Sequence, residues 1–292
     1  MIINAFSPLA LSSLTERFAK IPEYLGNYAF VRNALAVSVM IALCASLLGV
    51  VLVLRRFSLI GDGLSHVAFG AATIAATLGI FDFGLTLPIT VIAAVLILKT
   101  NEKRRIMGDA IIAVISAGAL AVGYLILDAG GGASNLGGDV CTALFGSSAI
   151  LSIDTAELIF TAMITATVVA LTVIFYYKIF SIGFDERFAK ATGTKTDAYN
   201  LCIAIVTAVV IVIGMKLAGA LLMSALIVVP AMSAMKVCKS FKHTLITSAV
   251  IGVICAILGV LLSIILETPV GATIAAADIL AFGIFSIVGR RN

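Results

Sequence analysis

The chain has 292 residues, of which 62% are hydrophobic and 12% are charged, and its mean hydropathy is +1.21. A soluble domain is usually about half apolar and about a quarter charged, so this composition excludes an ordinary soluble protein. It predicts an all-α, polytopic helix bundle surrounded by membrane lipid. The net charge of +4 does not indicate a nucleic-acid partner, because the basic residues lie in short segments between apolar runs.

The N-terminal residues 1–28 are the first predicted element. Leu11, Leu14, Phe18 and Ile21 recur at helical spacing among polar residues, which predicts an amphipathic extension along the membrane surface. These residues lack the apolar stretch and cleavage site of a removable signal peptide. The five cysteines of the chain are scattered, and all but Cys141 lie in apolar runs. We therefore expect small core residues and not a disulfide or metal cluster.

Nine apolar runs follow, most of them near the roughly 20 residues that a helix needs to cross lipid. They cover about 30–54, 58–78, 85–98, 108–127, 155–177, 197–214, 217–237, 244–266 and 270–288. The glycine-rich stretch 128–152 is too short to cross and predicts a re-entrant or surface segment on the outer side. We expect residues 29–292 to form a single transmembrane domain, with a cytoplasmic coupling segment at 181–195.

The distribution of basic residues predicts the orientation. Most of the 19 Lys and Arg residues fall in the connections after runs one, three, five, seven and nine, whereas the intervening connections hold only Lys216. Because basic residues concentrate in cytoplasmic loops, the pattern predicts nine spans with the N-terminus outside and the C-terminus inside. Entry of the N-terminal region into the membrane would change the count to eight or ten.

The second run carries an acid and an imidazole inside an apolar segment. Asp62 and His66 are four residues apart and therefore share one face of a helix. Ionisable residues are costly in lipid and usually functional. The alternative is that the two residues only form a hydrogen bond that packs helices. Many small residues also lie in this run, which predicts close helix packing and a central position.

Two further carboxylates extend this candidate site. At about 1.5 Å of rise per residue, His66 lies about 15 Å from the inner end of its run, and Asp278 lies about 14 Å from the outer end of the last run. Glu267 sits at the outer rim. Carboxylates and imidazole bind zinc, manganese and ferrous iron, so the set Asp62, His66, Asp278 and Glu267 predicts a path for a divalent cation. Alternatively, Asp278 caps or pairs locally.

The connector after the fifth run is the candidate docking surface for a partner. Phe184 and Phe188 lie four residues apart around the charged residues Asp185, Glu186 and Arg187, which predicts a short amphipathic helix facing the cytoplasm. An ordinary solvated loop is the alternative. No P-loop motif occurs in the sequence, so an ATP-driven process would need its motor on another polypeptide.

Three separated motifs resemble those of the ATP-binding-cassette permeases that import zinc, manganese or iron. They lie at 58–66 (Ser-Leu-Ile-Gly-Asp-Gly-Leu-Ser-His), 184–193 and 219–230, and shorter stretches at 116–120 and 271–274 also fit. The resemblance covers about residues 30–288. It implies a multi-pass permease in the plasma membrane of a prokaryote, with no permanently bound cofactor and with zinc, manganese or iron as the transported ion.

The resemblance also implies partners and roles. It implies a homodimeric or paired permease, two cytoplasmic nucleotide-binding subunits that hydrolyse ATP, and an extracytoplasmic metal-binding protein. Asp62 and His66 match the positions that line the metal path of the family, and Glu267 and Asp278 are carried over with them. An ion- or proton-coupled secondary carrier using the same pair is the alternative. A structural or signalling membrane protein would tolerate replacement of the pair without loss of metal uptake.

Overall fold

The computed structural model describes residues 28–55, 57–79, 82–103, 108–129, 153 and 155–289. Within these ranges helices are the only regular secondary structure, which confirms the predicted all-α class. The predicted amphipathic extension, except Tyr28, and most of the predicted re-entrant segment lie outside the described residues.

The described residues form eleven helices, and each predicted apolar run overlaps at least one of them. They are α1 (Ala29–Leu54), α2 (Ile60–Thr77), α3 (Asp82–Lys103), α4 (Gly108–Ala129), α5 (Thr155–Ile174), α6 (Tyr176–Phe184), α7 (Glu186–Ala191), α8 (Thr196–Ala218), α9 (Ala220–Val237), α10 (Phe241–Leu266) and α11 (Val270–Gly289). The fifth run, 155–177, is divided at Phe175 between two helices. By length and composition, α1, α5, most of α8, α10 and α11 could each cross a membrane. Helices α3, α4 and α9 contain shorter apolar stretches.

Helix α2 is less apolar than these because it contains Asp62, His66 and three glycines. It is nevertheless mostly buried, and it packs against α3, α4, α8 and α9. The protein interior, rather than lipid, therefore surrounds most of its surface. This agrees with the central position that its small residues predict.

Helix α9 connects two groups of packed helices. It contacts α1 and α10, which contact each other, and also α2 and α8, which contact each other. Four of its side chains are among the largest fully buried ones: Leu222, Met223, Leu226 and Ile227. A displacement of α9 would consequently change the packing of both groups.

Glycines let the backbones of neighbouring helices touch. A Cβ built on Gly70 of α2 would lie 2.5 Å from the carbonyl oxygen of Ala119 on α4, and one built on Gly123 of α4 would lie 2.9 Å from Cα of Gly70. On α1, a Cβ at Gly49 would overlap the carbonyl group of Ile227 on α9. Lipid provides little hydrophobic drive for helix association, so such close van der Waals packing is what holds α2 and α4 together.

The break between α8 and α9 differs from the sequence prediction. The sequence placed it at Met215 and Lys216, but α8 continues to Ala218 and the chain turns at Gly219, where φ is 93°. Lysine and methionine are good helix formers and do not end a helix by themselves. Glycine adopts a positive φ without the steric cost that a Cβ imposes, so the one-residue turn forms there.

Two glycines of α4 provide a matched test of this packing. Gly118 has open space where its Cβ would lie, whereas a Cβ on Gly123 would lie 2.9 Å from both Cα of Gly70 and Oγ1 of Thr73. We expect Gly118→Ala to stabilise the protein by about 0.5 to 1 kcal/mol through helix propensity. In contrast, Gly123→Ala should destabilise it by about 1 to 3 kcal/mol through overpacking. Thermal unfolding of both variants in the same detergent measures the difference, and equal midpoints would contradict the close approach of α2 and α4.

Candidate metal site and docking segment

The first part of the candidate site is the Asp62 and His66 pair near the start of α2. Asp62 lies in the first turn, where a negative charge interacts favourably with the helix dipole. Nε2 of His66 is 3.6 Å from Oδ1 of Asp62. The Asp62 side chain is 44% exposed and that of His66 is 19% exposed. The pair is therefore in electrostatic contact, just beyond hydrogen-bond distance, with the carboxylate on the more accessible side.

The second ring nitrogen of His66 has an unusual environment. Nδ1 is buried and has no hydrogen-bond partner among the described residues. An unsatisfied buried polar atom costs about 1 to 3 kcal/mol, so a structural histidine usually pairs both nitrogens. Neutral imidazole can give one nitrogen to a cation. The arrangement therefore suits a ligand better than a packing residue.

Close packing fixes the backbone on both sides of Asp62. A Cβ on Gly61 would lie 3.0 Å from Cδ1 of Ile227 on α9, and one on Gly63 would lie 2.6 Å from Cγ2 of Ile112 on α4. The helix turn that carries the carboxylate is thus held between two neighbours. Movement of α4 or α9 would change the position of Asp62.

Asp278 lies in α11 and is fully buried. The thiol of Cys255 on α10 lies beside its carboxyl group, but neither carboxyl oxygen has a hydrogen-bond partner at ordinary distance within the described ranges. A buried carboxyl group without such partners is costly and is retained where it serves a function. The sequence did not identify Cys255, because contact between α10 and α11 is not visible in one sequence.

The structure brings together two of the four predicted metal residues. Asp62 and His66 are in contact on α2, whereas Asp278 lies on α11, and α9 packs against both helices. Among the described residues no group of three or more His, Cys, Asp or Glu side chains is close enough to hold a metal ion. Convergence of the four residues therefore stays a prediction.

Glu267 follows the last residue of α10 and is exposed. Its backbone is left-handed, with φ 53° and ψ 41°, the only positive φ of a non-glycine residue in the described part of the chain. A residue with a Cβ pays about 1 to 2 kcal/mol for this conformation, and glycine usually occupies it at a helix end. Glutamate is therefore an unusual residue for this helix end.

The predicted docking segment, residues 184–188, is not a single helix. Phe184 ends α6, Asp185 is extended with φ −148°, and α7 begins at Glu186. Oδ1 of Asp185 accepts hydrogen bonds from the backbone N–H groups of Arg187, at 2.9 Å, and Phe188, at 3.1 Å. The prediction that one amphipathic helix carries both phenylalanines is therefore wrong. Asp185 is a strong N-cap residue and starts a new helix, a signal that the sequence contained.

The two aromatic side chains are nevertheless well placed for contact with a partner. Phe184 is 73% exposed and Phe188 is 64% exposed. Asp185 and Arg187 are exposed as well.

Glu186, between them, points toward the bundle instead. Its carboxylate accepts a hydrogen bond of 2.6 Å from Nδ2 of Asn200 on α8 and lies 3.5 Å from the guanidinium group of Arg55. Arg55 and Asn200 were missed in the sequence because both are far from Glu186 along the chain.

Comparison with known proteins assigns this chain to a protein family. The model of the family described as "ABC 3 transport family" matches residues 27–289. A probable metal transport system membrane protein of Treponema pallidum is 28% identical over 253 residues, which cover 87% of this chain and 93% of that protein. The manganese transport system membrane protein MntC of Halalkalibacterium halodurans is 26% identical over 277 residues, 94% of this chain and 92% of that protein.

A solved structure has a similar fold. A chain of PsaBC from Streptococcus pneumoniae, in complex with Fab, superposes with a TM-score of 0.80 and 25% sequence identity. The match covers 92% of this chain and 95% of that one. The arrangement of helices is therefore shared along almost the whole of both chains.

Glu267 offers a test that separates backbone strain from side-chain function. Glu267→Ala removes the side chain and keeps the strain, whereas Glu267→Gly removes both. We expect the glycine variant to be more stable than the alanine variant by about 1 kcal/mol, because glycine adopts the left-handed conformation freely. Thermal unfolding in detergent measures this. An alanine variant as stable as the glycine variant would show that the position is not strained.

Proposed function

The chain belongs to the ABC 3 transport family and is a multi-pass membrane transport subunit. On that premise we propose that it is the permease of an ATP-driven importer of a divalent transition-metal cation. Zinc and manganese are the main candidate ions, and ferrous iron is a third. The observation that carries the proposal is the Asp62 and His66 pair, with its carboxylate and an unsatisfied ring nitrogen on a helix buried in the bundle. The names of the relatives from Treponema pallidum and Halalkalibacterium halodurans support metal as the substrate.

In the proposed mechanism the ion enters near Glu267 and binds at mid-membrane to Asp62, His66 and Asp278. Nine spans, with the N-terminus outside and the C-terminus inside, would put Glu267 at the outer mouth and the docking segment in the cytoplasm. A tight site must open by separation of its ligands, which is the logic of alternating access. Since α9 packs against both α2 and α11, its movement could bring the pair and Asp278 together or apart.

The chain is a transport subunit rather than an enzyme, and ATP hydrolysis takes place on a separate partner chain. Phe184 and Phe188 would contact the cytoplasmic ATPase, an extracytoplasmic metal-binding protein would deliver the ion, and a second permease copy would complete a homodimer. Residues 1–28 would form an amphipathic extension beside the single transmembrane domain.

Transport by the reconstituted complex tests the proposal. Proteoliposomes that contain the chain with its ATPase should take up radiolabelled zinc or manganese only when ATP is present. Uptake by the chain alone would favour an ion- or proton-coupled carrier. Elemental measurement of the metal bound to the purified complex would identify the ion.

The chain contains only two histidines, which provides a matched pair of variants. His66→Ala removes the proposed ligand, whereas His243→Ala changes an exposed residue at the start of α10. We expect His66→Ala to lower uptake by about tenfold or more, a typical loss for a metal-binding residue, while assembly with the ATPase survives. His243→Ala should transport normally. Normal uptake by a correctly inserted His66→Ala protein would exclude the ligand role.

Phe188 is the best test of the docking segment. Its ring is largely exposed, and an aromatic side chain at the centre of an interface typically contributes about 2 kcal/mol or more to binding. We expect Phe188→Ala to weaken the affinity of the purified permease for its ATPase by that amount. Phe160→Ala, at an exposed aromatic position on α5, is the control and should bind normally. Equal affinities of the two variants would contradict a docking role for Phe188.

A further inference from the structure

An acidic residue of the docking segment contacts the bundle directly. Glu186 is the first residue of α7, between the two exposed phenylalanines, and its carboxylate contacts Arg55 and Asn200. Arg55 directly follows α1, and Asn200 lies in the first turns of α8. One side chain of the docking segment thus contacts two separate elements of the transmembrane bundle.

Arg55 lies at the connection between α1 and α2. Its guanidinium group is over the ring of Phe57, 5.4 Å from the ring centroid, and its side chain is only 4% exposed. Backbone hydrogen bonds order this connection: the N–H of Phe57 donates to the carbonyl of Leu52 at 2.9 Å, and the N–H of Ile60 donates to the carbonyl of Phe57 at 3.1 Å. Because these bonds join Phe57 to α1 and Ile60 to Phe57, displacement of Arg55 at the end of α1 displaces the start of α2.

The burial of Arg55 makes this contact different from a surface ion pair. The guanidinium group of Arg55 is buried and the carboxylate of Glu186 is 37% exposed, so water shields this pair less than it shields a fully exposed one, and loss of the carboxylate is more unfavourable. Separation of Glu186 from Arg55 is therefore costly, and the two residues tend to move together. The neighbouring pair of Lys190 and Asp197, at 3.3 Å, is 66% and 71% exposed. Water can replace that contact at little cost.

From these contacts we infer that Glu186 and Arg55 form a positioning contact, through which movement of the docking segment is passed to the start of α2 and so to Asp62 and His66. The inference rests on the proposed function, because it assigns the docking segment to an ATPase partner. It deepens that function by naming the contact that couples ATP hydrolysis to the metal-binding helix. Asn200 holds the Glu186 carboxylate in place from α8.

The test uses conservative variants in the complete complex with the ATPase subunits. Glu186→Gln removes the charge and keeps an oxygen that can accept from Asn200, and Arg55→Gln removes the other charge. The double variant completes a thermodynamic cycle, and Arg55→Lys restores a positive charge. Asp197→Asn is the matched control, because it breaks the exposed pair beside the same segment.

Two measurements are made on each variant. The first is the amount of metal transported per ATP hydrolysed in proteoliposomes. The second is the ATP-dependent change in fluorescence of a tryptophan introduced by Leu59→Trp at the start of α2. The chain has no tryptophan of its own, so the difference from the complex with Leu59 isolates this signal.

We expect both single variants to lower the metal transported per ATP by about tenfold, which is typical of coupling between two sites. Co-purification with the ATPase should be unchanged, and the tryptophan response to ATP should be lost. The double variant should be no worse than either single one, because both remove the same contact. Arg55→Lys should recover part of the coupling, and Asp197→Asn should behave as the unmodified complex does.

Other outcomes would overturn the inference. It fails if Glu186→Gln keeps its transport ratio and tryptophan response, if the losses multiply in the double variant, or if the variants lose the ATPase itself. It also fails if ATP does not change the tryptophan signal of the unmodified complex. A different result would separate this inference from the proposed function. If the unmodified complex transports no metal, the proposed substrate is wrong. The positioning contact would still stand if ATP changed the tryptophan signal and Glu186→Gln or Arg55→Gln abolished that change.

Discussion

Backbone-to-backbone packing of helices at glycines is the interaction on which the rest of this structure depends. Gly70 and Gly123 bring α2 and α4 together, and Gly49 brings α1 against α9. Lipid does not drive such contacts by the hydrophobic effect, so their close fit has to supply the free energy. The consequence is functional, because this packing encloses α2. A helix with an acid and an imidazole near its start can remain in the membrane only when protein surrounds most of it.

The polar groups inside this bundle fall into distinct physical situations. The Asp62 carboxylate is 44% exposed and lies beside the imidazole of His66, so water reaches this carboxylate. Asp278 is fully buried, and the thiol of Cys255 is the polar group beside its carboxyl oxygens in the described part of the chain. Glu186 and Arg55 form a charge pair at the edge of the bundle. His66, beside Asp62, and Asp278 each leave a buried polar atom without a hydrogen-bond partner at ordinary distance in the described part of the chain. A protein selected only for stability would avoid such atoms.

The sequence predicted the helices and the local pairing well, because both depend on short-range patterns. Apolar length identified every long helix, and the spacing of four residues correctly placed Asp62 against His66. The errors of the sequence-based prediction were also local. The turns at Gly219 and Asp185 were missed because hydrophobicity was weighed above the positive φ of glycine and the capping preference of aspartate.

Contacts between distant segments could not be predicted from one sequence. Glu186 and Arg55 are 131 residues apart, and only the folded bundle brings them together. The side chain beside Asp278 likewise depends on which faces of α10 and α11 meet. These long-range contacts are also the ones that decide whether a docking surface and a metal site can be coupled.

The break at Asp185 divides the docking segment between two anchors of different kinds. Phe184, before the break, contacts Phe180, which packs on Phe241 at the start of α10 with ring centroids 5.3 Å apart. Glu186, after the break, is held by a charge-assisted contact to Arg55. An aromatic pair contributes about 0.5 to 1.5 kcal/mol beyond its buried area. Separation of the Glu186 carboxylate from Arg55, whose side chain is only 4% exposed, costs more because it takes a negative charge away from a buried positive one. A partner that displaces both phenylalanines would therefore move α2 more firmly than α10, and the ligands on α2 would change position relative to Asp278, which packs against α10.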